Sequence, residues 1–300
     1  MTSHDLSETY TAVEHKVPNV VFVTSHFAKQ PEFEVMLLLF KALSVRCVIV
    51  SETQAFTPSE EAISQRFGLH LMNRTAVAEY SVRSQGGTAL NRVAAPQTGT
   101  AGERNVFDDG FILLGASTGG VDALIRVLSS FPTNCPPTYI VQHTGAQFTR
   151  GLAKLVNGHV PPAVVEFDGS SRPKPGVVTF APGGTTHLVF HARNRNRVQL
   201  IEGEPKQGHR PSVDMLFSSA VPHASQISAA LLTGMGRDGA EGLLGLRKAK
   251  ARTFAQDEQT SIVYGMPKAA QELGAPEKQL PLDAIGPALL KSRRRPQHAV

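Results

Sequence analysis

The apolar run Phe111-Ile112-Leu113-Leu114 leads into Gly115-Ala116-Ser117-Thr118-Gly119-Gly120, and a helical pattern follows at once over residues 121–130. This strand-turn-helix step is the most restrictive feature of the chain. Glycines on both sides let neighbouring backbone approach closely, while the residue between them is pushed out above the sheet. The same alternation continues toward the carboxyl end. Strands are predicted at 111–115, 138–142, 163–167, 177–181, 229–233 and 253–256, and helices at 121–130, 148–156, 213–220, 240–250 and 268–273. Strands and helices alternating in this way read as an α/β fold with a doubly wound, mainly parallel sheet. Residues 187–201, with Arg and Asn alternating near their middle, read as an antiparallel β-hairpin inserted into the alternation.

Upstream the organisation changes. Residues 1–16 are polar and read as a flexible arm, and residues 17–80 read as a small βαβ-like module with strands at 20–24 and 46–51 and helices at 32–43 and 59–67. Residues 81–108 are rich in Gly, Ser, Thr and Gln without apolar period and read as a linker. The main domain is then 109–290, and 291–300 form a basic tail.

Composition narrows the function classes. With 41% hydrophobic and 18% charged residues the chain has an ordinary globular make-up. Its apolar runs fall far short of the roughly 20 residues that span a bilayer, and no basic segment leads into an apolar stretch at the start. A cytoplasmic protein without membrane insertion is expected. Cys47 and Cys135 stand outside any disulfide or zinc pattern and read as free thiols. The formal charge of +5 raises nucleic-acid binding. However, Arg193, Arg195 and Arg197 sit at the hairpin tip, while Lys291 and Arg293 to Arg295 sit in the tail, so the excess reads as solvated turns and no nucleic-acid partner is expected.

Gly115-Ala116-Ser117-Thr118-Gly119 matches G-x-S-x-G in the context that motif requires, so Ser117 is a candidate nucleophile. Backbone N–H groups at the start of the following helix, Thr118 included, are free to face an oxyanion. A turn that only joins strand to helix, or one that cradles phosphate, uses the same glycines. His143 directly follows the second strand and Asp238 follows a third, and in an open parallel sheet such positions gather in one crevice. Taken singly, His143 reads as structural and Asp238 as a cap for the helix beginning near Ala240. Taken together, Ser, His and Asp at three strand ends read as nucleophile, base and orienting acid. The order Ser, His, Asp differs from that of α/β-hydrolases, where His comes last.

These residues resemble the catalytic domain of the chemotaxis protein-glutamate methylesterases. The likeness runs from about Phe111 to Leu290 and rests on Gly115 to Gly120, Gln142-His143, Ala181-Pro182-Gly183, His209-Arg210-Pro211-Ser212-Val213-Asp214, Leu232 to Ala240 and Tyr264-Gly265-Met266-Pro267. It implies a serine hydrolase that removes methyl groups from glutamate γ-methyl esters of chemoreceptors, releasing methanol, and that deamidates receptor glutamines. It also implies Ser117, His143 and Asp238 as the triad, the Met235 N–H as an oxyanion donor, and no cofactor or metal. The partners implied are a methylated chemoreceptor or related receptor and other chemosensory proteins. His209 and Arg210 are candidates to face substrate carboxylates, or else to support the loop that carries them. The family's amino-terminal receiver domain needs acidic residues after its first strand, but Thr24-Ser25-His26-Phe27 stands there, so residues 17–80 read as a shortened, degenerate receiver or an adaptor.

Three other readings compete. A short-chain NAD(P)-dependent oxidoreductase would use the glycine turn and Tyr264-x-x-x-Lys268, but Pro267 breaks the helix that must carry both. A silent binding module would keep the fold without the activity. A zinc site at His187 and His191 lacks the glutamate such a helix needs, and the segment alternates like a strand.

Overall fold

A computed structural model describes most of residues 18–77 and residues 109–293 except Gln147, Ser170 and Ser171, together with Thr9, Val13 and Phe107. The chain divides into two compact units, residues 1–101 and 102–300. The predicted linker lies outside the described residues apart from Phe107, and the tail lies outside them from residue 294. Of the predicted arm only Thr9 and Val13 are described; both are helical, and Val13 is buried, which a loose arm would not be.

The first unit has a three-stranded parallel sheet, β1 (Val20–Thr24), β2 (Arg46–Ser51) and β3 (His70–Asn73), in that order. Phe33, Met36, Leu37 and Phe40 between β1 and β2 are helical, and their spacing puts Phe33, Met36 and Phe40 into the core. Helix α1 (Pro58–Phe67) opens with a capping box between Thr57 and Glu60, has Pro58 in its first turn, and stops at Gly68 in a left-handed conformation. Strand β3 was absent from the sequence reading, since four residues with one aliphatic side chain show no alternation to detect. The Glu60 carboxylate accepts from the Thr57 N–H and from the hydroxyls of Thr57 and Ser51. The Thr57 N–H, opposed by burial and helped by these hydroxyls, holds it below the usual carboxylate range. This carboxylate ties the end of β2 to the start of α1.

The second unit runs β4 (Phe111–Ala116), α2 (Gly120–Ser129), β5 (Thr138–Gln142), α3 (Thr149–Asn157), β6 (Ala163–Glu166), β7 (Val177–Phe180), β8 (Thr186–His191), β9 (Asn194–Glu202), α4 (Val213–Ala220), β10 (Ile227–Leu231), α5 (Ala240–Lys248), β11 (Arg252–Gln256), α6 (Met266–Glu272), β12 (Lys278–Leu280) and α7 (Leu282–Ser292). Seven of its strands form one parallel sheet in the order β12-β11-β10-β4-β5-β7-β6. The α/β fold class with a mainly parallel sheet and an inserted β8-β9 hairpin is as the sequence predicts.

Strand β4 is laid down in the middle. The chain then builds outward through β5 to β7 and β6, and returns to place β10 on the other flank of β4. The loops leaving β4, β5 and β10 therefore diverge at their carboxyl ends and open a crevice there. Phe111 and Leu113 pack in one buried cluster with Phe190 of the hairpin, Leu216 and Phe217 of α4, and Leu243 and Leu246 of α5. The two-residue period of a strand sends Ile112 and Leu114, also fully buried, to the opposite face. Full burial of each such side chain contributes roughly 1.5–3 kcal/mol, which anchors β4 in the unit.

Strand β12 and helix α7 escaped the sequence reading. The first has only three residues, and the second carries Pro287 in its interior, a residue that ordinarily breaks a helix. Pro287 is exposed, while Leu282, Ile285, Leu289 and Leu290 are buried, and that apolar face is enough to hold the helix. This helix runs past the expected boundary at 290, to Ser292. Lys291 and Ser292 end α7, and Arg293 is buried rather than part of a solvated tail.

Candidate active site

Ser117 lies just past β4, before α2, and is only 7% exposed. Its N–H donates to Thr233 O at 3.0 Å and its carbonyl accepts from Gly120 N–H at 2.8 Å. Glycine at 115 is required by packing, because a Cβ there would overlap the side chain of Val213 at the first turn of α4. Val213 would likewise be struck by a Cβ at Gly239, so one valine seats α4 against both the nucleophile strand and the loop after β10.

His143 follows β5, and its N–H donates to Ala116 O at 3.0 Å, which fixes its backbone beside the nucleophile turn. Its Nε2 lies 2.8 Å from Asp238 Oδ2. Its Nδ1 is buried with no hydrogen-bond partner. A proton held on Nε2 by the carboxylate leaves the Nδ1 lone pair open, so Nδ1 is the atom equipped to take a proton. The Ser117 hydroxyl makes no described hydrogen bond to it, and such bonds commonly tighten only when substrate is present.

Asp238 is completely buried and accepts four hydrogen bonds. Oδ2 takes the His143 Nε2–H and the Val213 N–H at 2.8 and 2.7 Å, while Oδ1 takes the Ser212 hydroxyl and the Asp214 N–H at 2.7 and 3.0 Å. Burial alone would raise its carboxyl, but the His143 hydrogen bond and charge, with Ser212 and Asp214, outweigh that and hold it below the usual carboxylate range. Asp238 does not cap the helix that follows it. The N-cap of α5 is Gly239, without any side-chain cap, and Asp238 instead meets the open N–H groups at the start of α4.

The oxyanion candidates Thr118 and Met235 follow β4 and β10, neighbouring parallel strands that end on the same side of the sheet. Among the described residues neither the Thr118 N–H nor the Met235 N–H has a hydrogen-bond partner. The Met235 side chain is 70% exposed at the rim, where Ile262 is also exposed. The loop that carries Met235 is tied down on both sides. Gly234 N–H donates to Val263 O at 3.0 Å, and Gly265 and Met266 N–H both donate to Gly234 O. Thr233 Oγ1 donates to Thr118 O at 2.9 Å and accepts from Val263 N–H at 2.9 Å. Thr233, and the bond of Ser212 to Asp238, were missed by the sequence reading, since nothing local marks a hydroxyl whose partner lies 26 to 115 positions away.

His209 stacks flat on His143, with ring centroids 3.7 Å apart and planes within 7°. Burial lowers the His209 imidazole below its usual value, and the neighbouring His143 lowers it further, against a smaller raising by Asp238. The ring is presented by a tight turn in which Lys206 and His209 exchange backbone hydrogen bonds, with Gln207 and Gly208 both at positive φ. Arg210 is engaged elsewhere: its Nε donates to Gly184 O and its Nη1 to Gly203 O, at 2.9 and 2.8 Å. These bonds support the loop, the role the sequence reading set beside substrate contact.

The oxidoreductase and zinc readings find no geometry. Tyr264 precedes α6 and its hydroxyl accepts from Gln279 Nε2, while Pro267 opens the helix, so Tyr264 and Lys268 do not share a helix face. His187 and His191 lie on a strand, and both His187 nitrogens are engaged, with Glu204 O and with Ser212 N–H. Cys47 and Cys135 are free and buried, and burial pushes each thiol up to about 12. No helix among the described residues is long and apolar enough to cross a membrane.

The chain is 50% identical over 181 residues to a protein-glutamate methylesterase/protein-glutamine glutaminase of Rhizobium johnstonii, covering 60% of this chain and 52% of that protein. It is 43% identical over 217 residues to its counterpart in Caulobacter vibrioides, covering 71% and 63%. The chain thus spans about half to two thirds of the length of these relatives. The crystal structure of the Thermotoga maritima CheB methylesterase catalytic domain superposes with a TM-score of 0.58 at 32% identity, covering 61% of this chain and 98% of that one. The CheB methylesterase family model matches residues 112–289, the segment that contains every side chain of the crevice, and the chain belongs to that family.

Proposed function

We propose that this chain hydrolyses γ-methyl esters of glutamate on methylated chemoreceptors, releasing methanol, and deamidates receptor glutamines by the same route. The observation that carries the reading is a buried His143-Asp238 pair with an unpartnered Nδ1, whose backbone is bonded to Ala116 beside Ser117, in a chain that is 50% identical over 181 residues to a protein-glutamate methylesterase. Ser117 Oγ attacks the γ-carbonyl carbon as His143 Nδ1 takes its proton, and the carbonyl electron pair moves to oxygen. The Thr118 and Met235 N–H groups receive that oxyanion. Collapse breaks the ester C–O bond, methanol leaves with the proton from His143, and a γ-glutamyl ester of Ser117 remains. Water activated by His143 repeats the sequence and frees the carboxylate; with glutamine the leaving group is ammonia. Asp238 holds Nε2–H and offsets the imidazolium charge, and His209 limits rotation of the His143 ring by stacking.

Release of volatile methanol from radiomethylated receptor membranes tests the reaction and the substrate class together. Ser117→Ala should abolish it while leaving the melting temperature nearly unchanged; retention of more than a tenth of the rate would remove Ser117 as nucleophile. The enzyme works in the cytoplasm in this reading, on the receptor face exposed there. The first unit acts by docking a receptor or another chemosensory protein rather than by receiving a phosphoryl group, since β1 and β2 end in Thr24 and Ser51 and the buried Glu60 is spent on α1. Acetyl phosphate with Mg²⁺ should therefore leave the rate unchanged. A phosphodonor response abolished by changing an Asp within residues 1–80 would reverse this assignment.

A further inference from the structure

The side chain of Gln142, the last residue of β5, is buried and makes a bracket across the crevice floor. Its single amide nitrogen donates to Ser117 O at 2.9 Å and to His143 O at 3.1 Å, so one planar group grips the backbone of both the nucleophile and the base. Both of its N–H bonds are used. Oε1 is buried with no donor facing it. It rests over Gly120, where an added Cβ would overlap Oε1 and lie 3.1 Å from Cδ. The second glycine after the nucleophile motif is therefore the space in which this amide sits.

The consequence follows from peptide geometry. In a trans peptide the carbonyl and the following N–H point in opposite directions across one plane. The carbonyl of Ser117 is held by two donors, Gln142 Nε2 and Gly120 N–H, and the N–H in the same plane belongs to Thr118. Holding the carbonyl toward Gln142 and the start of α2 turns the Thr118 N–H to the opposite side of the plane, where it has no partner among the described residues. We propose that Gln142 is a positioning residue that locks the Ser117-Thr118 peptide with its N–H turned toward the oxyanion and keeps the backbone of His143 in register with it. This rests on the esterase reading above. Without the amide, the peptide is free to rotate, and the oxyanion loses an aligned donor exactly when charge develops on it.

Gln142→Met keeps the length and removes both donors, and Gly120→Ala leaves the amide intact but displaces it. Both should lower kcat by roughly 10- to 100-fold, below the 10²–10³ of deleting an oxyanion donor outright, with KM for methylated receptor moved less than threefold. Affinity for a trifluoromethyl ketone analogue of the glutamate ester, which forms the oxyanion on Ser117, should fall in the same proportion as kcat. A merely structural role would lower the melting temperature and leave both quantities unchanged per titrated active site. Gln142→Glu supplies one donor when protonated and none when ionised, so its rate relative to Gln142→Met should rise as pH falls. Should Gln142→Met not fold, Gln142→Glu and Gly120→Ala carry the comparison. A kcat within threefold of wild type, with unchanged analogue affinity, overturns the proposal. Activity surviving in Ser117→Ala overturns the esterase reading itself and is told apart by that.

Discussion

Replacing Asp238 with Asn separates its two duties, because an amide accepts hydrogen bonds through one oxygen only. With that oxygen in the Oδ2 place, the Val213 N–H and His143 Nε2–H keep their acceptor, and the amide nitrogen faces the Asp214 N–H, a donor against a donor. Ser212 can turn its hydroxyl to accept, but Asp214 N–H stays buried without a partner, which costs about 1–3 kcal/mol. Loss of negative charge at the start of α4 adds about 0.5–2 kcal/mol. Together these give a loss of about 1.5–5 kcal/mol, or a fall of roughly 3–20 °C in melting temperature for a domain of this size. The reverse orientation turns the amide nitrogen toward His143 and forces the proton onto Nδ1, removing the base. In either orientation the imidazolium loses its counter-charge, so the rate at a temperature where the variant is fully folded should fall about 10³- to 10⁴-fold. Methanol release per titratable Ser117, measured well below the transition, checks this. A rate loss under tenfold beside the same thermal loss would show that Asp238 only holds α4. The acid dependence follows from its lowered pKa. Stability from the ionised carboxylate is complete above the ordinary unfolded value of about 4 and disappears as pH drops through the lower folded value, so the gap in melting temperature between wild type and Asp238→Asn should close below about pH 4.

Asp214 presents the opposite sign. Its Oδ1 accepts the Gly242 N–H, its Oδ2 is buried without a partner, and burial raises its carboxyl, so ionisation is easier in the unfolded chain. Asp214→Asn should therefore gain stability over wild type as pH rises above about 4, and a pH-independent difference in melting temperature would refute this. His209→Gln removes the ring stacked on His143; at about 0.5–1.5 kcal/mol for an aromatic pair, kcat should fall roughly 2- to 12-fold. Because the His209 imidazole is lowered, wild type loses stability as pH falls through about 6.5, and thermal scans between about pH 7 and pH 5 should be flatter in this variant. Lys250 sits at φ +72° just past α5, where Ala251 N–H closes the helix end onto Leu246 O. Lys250→Gly should raise stability by about 0.5–1 kcal/mol, and an unchanged or lowered melting temperature would show that the left-handed position carries no strain.

Much of this protein is local and so was legible in the sequence. The turn from Gly115 to Gly120, the strands 46–51 and 138–142 and the helix 213–220 depend on period, caps and glycines within a few residues of each other, and they stand where the pattern puts them. That Ser117, His143 and Asp238 stand at the same end of the sheet was legible too, because each follows a strand or its loop and parallel strands end on one side. Short elements were not: β3 and β12 have too few residues for a period, and α7 owes its existence to a buried face that outweighs Pro287. The partners of Asp238 lay further out of reach. Local rules assign an Asp before a helix to that helix, yet its carboxylate serves the start of α4, 24 to 26 positions earlier, because β10 returns to the flank of β4 and brings the open N–H groups of α4 against it. The same holds for the Nδ1 of His143 left without a partner, the stack of His209 and the double grip of Gln142. A hydrogen bond goes to whichever buried donor packing leaves unpaired, and only the assembled sheet decides which donors those are.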